Sequence, residues 1–362
     1  MPITYKCPNC GAAMEFDSTA QKLKCPSCQM EMDVQDYEKQ YGHLYSDAEA
    51  GENAQSAQSA QSEGQKGKGS MNMKVYHCQS CGAELLADEY TSATICSFCG
   101  NPSLVEDRLS GEFSPSSVIP FQIDREAAKK MYKSWVKKGL LTPKTLSTES
   151  TIEKISGVYV PFWMFDCKAN ADITYRGEKT TAWSDSENDY VKTDHYKIFR
   201  AGTLDFENLP VDASKKADDS YMDALEPYNL GEAVKFDTAY LAGFLADKYD
   251  ISASDSEPRA NERIKNSTEQ TFAGTVDGFS GVVAEKSKVN FSNGKVRYSM
   301  LPVWMLHIAY AGQNYAYAIN GQTGKVVGSF PISKKKRNLY FLKAFGIGVA
   351  VMAAVLALIT LL

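Results

Sequence analysis

The sequence predicts an α+β protein with two small cysteine modules first, a mostly antiparallel α+β domain next and one apolar helix at the C-terminus. Three observations support this fold class. Eight of the nine cysteines lie in the first 99 residues, all as C-x-x-C pairs. Short strand-like segments, 157–167, 171–176 and 190–201 among them, then dominate up to residue 330, with helical stretches between them. The last nineteen residues, 344–362, carry no charge.

Composition and charge narrow the class of protein. The chain has 362 residues, of which 43% are hydrophobic and 23% charged, which is ordinary for a globular protein of two or three domains. A formal net charge of -5 does not favour a nucleic-acid binder, which normally has a basic face. The first ten residues contain no apolar run, so no secretory signal is predicted. C-x-x-C pairs in a protein without such a signal indicate metal or redox chemistry in a reducing compartment.

The paired cysteines form two modules of identical spacing. Fourteen residues separate the two pairs in each module, and the second module repeats the first 71 positions later. The predicted metal ligands are Cys7, Cys10, Cys25 and Cys28 in the first module and Cys78, Cys81, Cys96 and Cys99 in the second. Two C-x-x-C turns are the usual way of placing four thiolates tetrahedrally around zinc. A 22-residue module is too small for a stable apolar core, and bound metal can replace one.

The sequence therefore predicts two zinc ribbons, each with one Zn²⁺ ion. Iron in a rubredoxin-like site and thioredoxin-type redox activity are the alternatives, and no βαβ pattern surrounds the pairs to support the latter. Glycine follows Cys10, Cys81 and Cys99, at a position that often needs a positive φ angle. Gln29 follows Cys28 and departs from that pattern.

Charges within the ribbons favour a structural or protein-binding role over nucleic-acid binding. The first ribbon core, 7–28, has two lysines against two acidic residues. The second, 78–99, has three acidic residues and no basic one. Phosphate contacts need Lys and Arg, so nucleic acid is not expected as a partner. We expect a protein partner instead.

The predicted organisation has six segments. These are zinc ribbon 1 at 1–32, a short helix and flexible linker at 33–73, zinc ribbon 2 at 74–105, the α+β domain at 112–332, a basic juxtamembrane segment at 333–343 and a transmembrane helix at 344–362. The linker prediction depends on 52–69, where Ala-Gln-Ser triplets and a Gly-Lys tail have nothing to bury. Asp124 is the predicted N-cap of a helix over 125–138.

Hydropathy predicts a membrane anchor at 344–362. At 1.5 Å per residue, this stretch would reach about 28 Å, close to the roughly 30 Å of a hydrocarbon core. The basic residues just before it are Lys334, Lys335, Lys336, Arg337 and Lys343. They predict a single-pass protein of the cell membrane with the bulk of the chain cytoplasmic, and they suit anionic lipid. Gly346, Ala350 and Ala354 recur every four residues, a spacing that permits a homodimer through close helix packing.

The sequence contains no recognisable catalytic constellation. There is no Walker A sequence, no G-x-G-x-x-G after a strand, no H-E-x-x-H and no G-x-S-x-G. The four histidines are scattered, and Cys167 is interpreted as a buried thiol. We therefore expect no enzymatic activity, no catalytic residues and no cofactor apart from zinc.

Several motifs in combination resemble one bacterial family. After the ribbons they are Val118-Ile119-Pro120-Phe121 before a Lys-rich helix with Trp135, Val160-Pro161-Phe162-Trp163, Tyr240-Leu241-Ala242-Gly243-Phe244, Leu301-Pro302-Val303-Trp304 and Asn320-Gly321-Gln322-Thr323-Gly324-Lys325. Together they resemble the bacterial membrane proteins with a transcription-factor-IIB-type zinc ribbon. Such proteins are often labelled as relatives of the primosomal helicase, but the missing Walker motif argues against that activity here.

The resemblance implies a membrane-tethered adaptor that docks partner proteins. In some Gram-positive bacteria, relatives sit with phage-shock-protein-A-like and flotillin-like (SPFH) partners in envelope-stress systems. The hypothesis from the sequence is therefore a zinc-binding, membrane-anchored cytoplasmic adaptor. The alternative is a nucleic-acid-binding regulator tethered to the membrane, and it depends on the ribbon type alone.

Overall fold

The computed structural model describes residues 5–41, 74–87, 96–99, 104–107 and 115–361. The predicted flexible stretch at 52–69 lies outside these ranges, as do 88–95 and 100–103 of ribbon 2. The described part is an α+β fold whose strands pair mostly antiparallel, as the sequence predicted.

Strands and helices alternate irregularly along the described chain. The strands are β1 (Glu15–Asp17), β2 (Lys22–Lys24), β3 (Glu31–Met32), β4 (Lys74–Cys78), β5 (Glu84–Ala87), β6 (Leu104–Asp107), β7 (Ser117–Val118), β8 (Ser156–Ser184), β9 (Asp189–Asp212), β10 (Val234–Lys235), β11 (Leu245–Asp247), β12 (Ser280–Tyr310), β13 (Gln313–Asn320) and β14 (Val326–Gly328). The helices are α1 (Val34–Tyr41), α2 (Arg125–Lys137), α3 (Glu149–Ile152), α4 (Asp219–Leu225), α5 (Ala253–Ala273) and α6 (Lys334–Leu361). Asp124 caps α2 as predicted, because its carboxylate accepts a 2.6 Å hydrogen bond from the Ala127 N–H.

One large sheet organises the body of the protein. Its strands follow the order β10-β7-β12-β8-β11-β5-β4-β6, with β9 paired to β8 and with β13 and β14 extending from β12. The β7–β12 and β8–β11 pairs are parallel, and the other pairs in this sheet are antiparallel. Strands β1, β2 and β3 of ribbon 1 form a separate small sheet.

An aromatic core lies where this sheet meets ribbon 1. Phe121 and Phe244 stack with their ring centroids 4.2 Å apart, and Trp304 lies beside them. The Trp304 indole N–H donates to the Ile123 carbonyl over 2.9 Å, so this buried polar group is satisfied. The same cluster of buried side chains includes Phe16 and Leu23 of ribbon 1. Ribbon 1 therefore shares its apolar core with the body.

Three unusually long strands extend away from this core. Strand β8 has 29 residues, β9 has 24 and β12 has 31. At about 3.3 Å per residue, β8 reaches roughly 95 Å. It lies between the other two strands, and the β8–β9 pairing continues to the turn at 185–188. We call residues 167–207 together with 280–295 the arm.

Helix α5 covers one face of the arm. Buried side chains of the helix, Ala260, Ile264 and Thr268, face the sheet, and the Tyr175 hydroxyl donates to the Glu269 carbonyl over 2.6 Å. The opposite face, which carries Thr174 and Arg176 of β8, is more exposed to solvent than the face that packs against α5. Where α5 lies against it, the arm is therefore a sheet with one packed face and one exposed face.

Ion pairs fix α5 at the base of the arm. The Arg259 guanidinium contacts the buried Asp212 carboxylate over 2.5 Å and Asp223 over 2.7 Å. Arg263 binds both carboxylate oxygens of Glu226, each at 2.9 Å. Charge-assisted, partly buried pairs of this kind hold their geometry better than isolated surface pairs. They join β9, α4 and α5 into one unit.

The C-terminal helix contradicts its prediction. Helix α6 begins at Lys334, so its first turns carry the basic residues that were placed before a membrane span. Among the described residues, none of the helices combines the length and the apolar character that crossing a membrane requires. The predicted transmembrane helix and the single-pass location in the cell membrane are therefore wrong, and the cytoplasmic orientation inferred from the flanking charges loses its basis.

Candidate metal centres

Tight turns bring the cysteines of each C-x-x-C pair together. In the first turn of ribbon 1, the Gly11 N–H donates to the Cys7 carbonyl over 2.8 Å, and the Cys7 N–H donates to the Ala12 carbonyl over 2.7 Å. The first turn of ribbon 2 repeats this pattern with Gly82 and Cys78. Gly11 has φ +75° and Gly82 has φ +72°, which is the conformation expected for these glycines.

The second turn of ribbon 1 has the same shape without glycine. The Gln29 N–H donates to the Cys25 carbonyl over 2.9 Å, and the Cys25 N–H donates to the Met30 carbonyl over 2.8 Å. Gln29 therefore takes φ +62°, in the left-handed region that disfavours side chains with a Cβ atom. Its side-chain amide donates to the Pro26 carbonyl over 3.1 Å, which partly offsets the strain.

We expect Gln29→Gly to raise the stability of the metal-loaded protein by up to about 1 kcal/mol. Glycine removes the strain of the positive φ, and its extra freedom in the unfolded chain offsets part of the gain. The free energy of unfolding in denaturant measures the change.

Gln21→Gly is the matched control, since Gln21 also has a positive φ, +55°. Its side chain donates to the Phe121 carbonyl over 2.7 Å, so the same relief comes with the loss of a contact between ribbon 1 and the body. We expect this variant to be less stable than Gln29→Gly. If Gln21→Gly were the more stable of the two variants, the hydrogen bond from the Gln21 side chain to the body would not be stabilising.

The sulfur atoms of each ribbon are spaced as a tetrahedral metal site requires. The Sγ–Sγ distances are 3.4 Å for Cys7–Cys28, 3.5 Å for Cys10–Cys25, 3.7 Å for Cys78–Cys99 and 3.7 Å for Cys81–Cys96. In each ribbon the four Sγ atoms lie within 4.8 Å of one another. A tetrahedron with Zn–S bonds of about 2.3 Å has edges of roughly 3.8 Å, whereas a disulfide needs about 2.05 Å. The residues fit a four-thiolate metal site.

Burial is unequal within each group of ligands. The first cysteine of every pair is buried, as for Cys7 and Cys25, whereas Cys10 is exposed and Cys28 is half-buried. Ribbon 2 repeats this order with half-buried second cysteines. Each metal ion would therefore have two ligands facing the core and two facing solvent. Such a site links the packing of the ribbon to the bound metal.

Backbone donors favour the thiolate form of one ligand. The Met30 N–H, with help from the Asn9 side chain, lowers the pKa of Cys28 to about 6. Because the thiolate is the form that binds metal, ribbon 1 holds one ligand ready at neutral pH.

Ribbon 1 also docks on the body through polar contacts. The Phe16 N–H donates to the Ala242 carbonyl over 3.1 Å, and the Phe16 ring meets Tyr240 with centroids 5.1 Å apart. The Tyr5 hydroxyl donates to the Asp237 carboxylate over 3.2 Å. These contacts join ribbon 1 to the segment 237–242.

Ribbon 2 is built into the main sheet. Its strand β5 pairs antiparallel with β11, in the register Leu85↔Asp247 and Ala87↔Leu245, and β11 pairs with β8. The Ser97 and Ser156 hydroxyls, 3.0 Å apart, add a second link to β8. Ribbon 2 is therefore a continuation of the sheet.

A buried acid lies at this junction, and sequence reasoning did not find it. Asp247 is fully buried, and burial raises its pKa to about 7. Its Oδ1 accepts from the Lys248 N–H over 3.0 Å, and a hydrogen bond with the Ser214 side chain opposes the rise in its pKa. Lys216, which is paired with Asp250 over 2.6 Å, partly offsets the charge. Nothing in the local sequence distinguishes Asp247 from an exposed aspartate.

The structure brings the eight predicted ligands into two groups of four, and Cys167 lies apart from both. Cys167 is half-buried on the arm, and burial raises the pKa of its thiol. The two groups can hold metal ions, and their four-sulfur composition is the set that zinc prefers. Iron accepts the same ligands, so zinc stays a prediction.

Two four-cysteine ribbons joined to a mostly antiparallel α+β body define the class of this protein. Comparison with known proteins identifies its family. The chain is 39% identical over 344 residues to a Bacillus subtilis (strain 168) protein described as uncharacterized protein YdjG, with 94% of both chains covered. The chain belongs to the same family as that protein. No family model matches the chain, and no solved structure matches it.

Proposed function

We propose that this protein is a zinc-stabilised adaptor that docks partner proteins. The observation that carries the proposal is the arm, which presents large apolar side chains to solvent. They are Trp183, Tyr190, Val191, Tyr196, Phe199, Val283 and Phe291. Val191 and Phe199 are 69% and 68% exposed, and Trp183 stacks on Tyr190 near the turn. Exposed apolar and aromatic groups of this kind are typical of protein-binding surfaces.

The metal sites support a structural role for zinc. A site of four cysteines leaves no open coordination position for a substrate or a water molecule. Both ribbons pack against the body, ribbon 1 through the aromatic core and ribbon 2 through β11. Zinc in this proposal holds the ribbons folded and thereby supports the sheet from which the arm extends.

Local charges favour protein over nucleic acid as the partner. Lys24 of ribbon 1 already lies 3.1 Å from Glu31 and 3.7 Å from Asp17, so it offers no free charge to a phosphate. Residues 176–200 of the arm carry equal numbers of basic and acidic residues. They are Arg176, Lys179, Lys192, Lys197 and Arg200 against Glu178, Asp185, Glu187, Asp189 and Asp194. A surface with aromatic side chains and no net charge favours binding of a protein over binding of a polyanion such as a nucleic acid.

The resemblance of the motifs to proteins with a transcription-factor-IIB-type ribbon supports the same proposal. It makes phage-shock-protein-A-like and SPFH-type proteins the first partners to test.

Co-purification of the full-length chain tests the proposal. We expect a stoichiometric protein partner with the wild type and with Cys167→Ser, which leaves both metal sites intact. We expect its loss with Cys78→Ser, which removes a ligand of ribbon 2, and with Trp183→Thr combined with Tyr190→Thr, which alters only the exposed aromatic stack. Metal content is measured for every variant. Recovery of no stoichiometric partner with the wild type would refute the adaptor role, and equal recovery with the aromatic double variant would move docking away from the arm.

A further inference from the structure

Strand β9 offers a long backbone edge. Among the described strands it pairs with β8 alone, so the backbone groups on its other side have no strand neighbour. Its pairing with β8 is regular from residue 189 to 206, since the irregularity lies between the pairs of Phe165 and Cys167. Native edge strands are usually short, bulged or interrupted by proline. In β9 the proline, Pro210, comes after the regular stretch.

The exposed side chains of β9 are arranged symmetrically about His195. Val191, Thr193, His195, Lys197 and Phe199 alternate along the strand and therefore lie on one face. This is the open face of the arm, because their β8 neighbours include the exposed Thr180 and Arg176. Val191 and Phe199, the two most exposed apolar side chains of the arm, each lie four residues from His195.

We propose that β9 pairs antiparallel with β9 of a second copy of this chain, around a two-fold axis at His195. In this register, Val191 of each copy lies opposite Phe199 of the other, so the most exposed apolar groups cover one another. Thr193 lies opposite Lys197 on the same face. The pairing is isologous, and it removes the free edge from both copies.

Charge distinguishes this register from its neighbours. On the face toward α5, Asp194 lies opposite Tyr196 and Lys192 opposite Ile198, so no like charges meet. A shift of two residues in one direction places Asp194 opposite Asp194. The same shift in the other direction places Lys192 opposite Arg200. Like charges directly opposite one another destabilise a strand pair, so the register at His195 is favoured over both.

Sedimentation equilibrium of the zinc-loaded full-length chain tests the inference. We expect a dimer for the wild type. In Val191→Lys combined with Phe199→Lys, two lysines oppose each other on each side of the axis, and we expect a dissociation constant raised at least about tenfold. Thr180→Lys is the matched control, because it adds a lysine to the same open face away from the edge, and it should leave the dissociation constant unchanged. Circular dichroism checks that the variants are folded.

A cross-linking experiment gives a second measurement that does not depend on weakening the dimer. With Cys167→Ser as background, His195→Cys places two thiols at the axis, where directly opposite Cα atoms are about 4.5–5.5 Å apart. Oxidation should give a covalent dimer on a non-reducing gel. Thr180→Cys should not, because two such residues would be separated by about three strand spacings of 4.8 Å.

The inference goes beyond the proposed function, since it concerns the purified chain without any partner protein. A wild type that stays monomeric would overturn it, as would a dimer that tolerates the two lysines. Failure of His195→Cys to cross-link would also overturn it. None of these results would bear on the adaptor role, which the co-purification experiment tests separately.

Discussion

Cys78→Ser is expected to lower the free energy of unfolding of the whole protein by at least about 4 kcal/mol, a size of effect that is seen when a structural metal is lost. The reason is the place of ribbon 2 in the sheet. Strand β5 pairs with β11, which in turn pairs with β8, and Leu85 and Leu86 of β5 are fully buried. Without its metal the ribbon cannot hold β5 in register, so the edge of the main sheet is exposed. Denaturant unfolding followed by tryptophan fluorescence measures the change.

Cys10→Ser provides the comparison with ribbon 1. It also removes one ligand, but Cys10 is exposed and the sheet of ribbon 1 is separate from the main sheet. We expect a smaller loss of global stability, with faster amide hydrogen exchange in β1 and β2. Metal analysis should give two metal ions per chain for the wild type and one for Cys78→Ser and for Cys10→Ser. Cys167→Ser is the control with both sites intact, and a Cys78→Ser protein as stable as this control would contradict the structural role of the second site.

Asp247→Asn is expected to stabilise the protein by about 2–4 kcal/mol at pH values above 7. Burial raises the pKa of Asp247 from its ordinary 3.8 to about 7. The folded state therefore binds the proton more tightly than the unfolded state does. Stability falls as the pH rises from about 4 to about 7, and the full cost of a buried charge remains above that range. An asparagine at this position carries no charge, so it avoids the cost of burying one.

The pH dependence is the readout that distinguishes this effect from ordinary packing changes. The free energy of unfolding of the wild type should decline across pH 4–7 relative to Asp247→Asn, and the two proteins should converge at the acidic end of that range. Asp250→Asn is the matched comparison, since it removes the ion pair with Lys216 and should lower stability. If the plots of unfolding free energy against pH ran parallel for the wild type and Asp247→Asn, the pKa of Asp247 would be the same in the folded and unfolded states, and the prediction would be wrong.

The ribbons show how far cysteine spacing can predict a site. The spacing correctly predicted which four sulfur atoms come together in each ribbon. It could do so because a C-x-x-C turn is a local structure closed by its own hydrogen bonds. The attachment of the ribbons was not predictable in the same way. The pairing of β5 with β11 joins residues about 160 positions apart, and no local pattern encodes such a contact.

The arm and the C-terminal helix show the same limit. Separate strands were predicted at 157–167 and 171–176, whereas the structure has one strand of 29 residues with an irregularity near Cys167. Residues 177–184 of β8 were not predicted as a strand, because most of them are exposed and show no apolar alternation. Hydropathy alone also led to the expectation of a membrane span, which was wrong, because none of the helices in the described part of the chain is long and apolar enough to cross a membrane.

The sequence by itself determined the α+β class, the two groups of four cysteines and the cap at Asp124. These features depend on contacts between residues that are close in the chain, or on ligands whose spacing a metal imposes. Only the tertiary structure decided that ribbon 2 continues the main sheet, that Asp247 is buried beside it and that β9 has a free edge. Each of these depends on which distant strands are neighbours, and that follows from the packing of the whole chain.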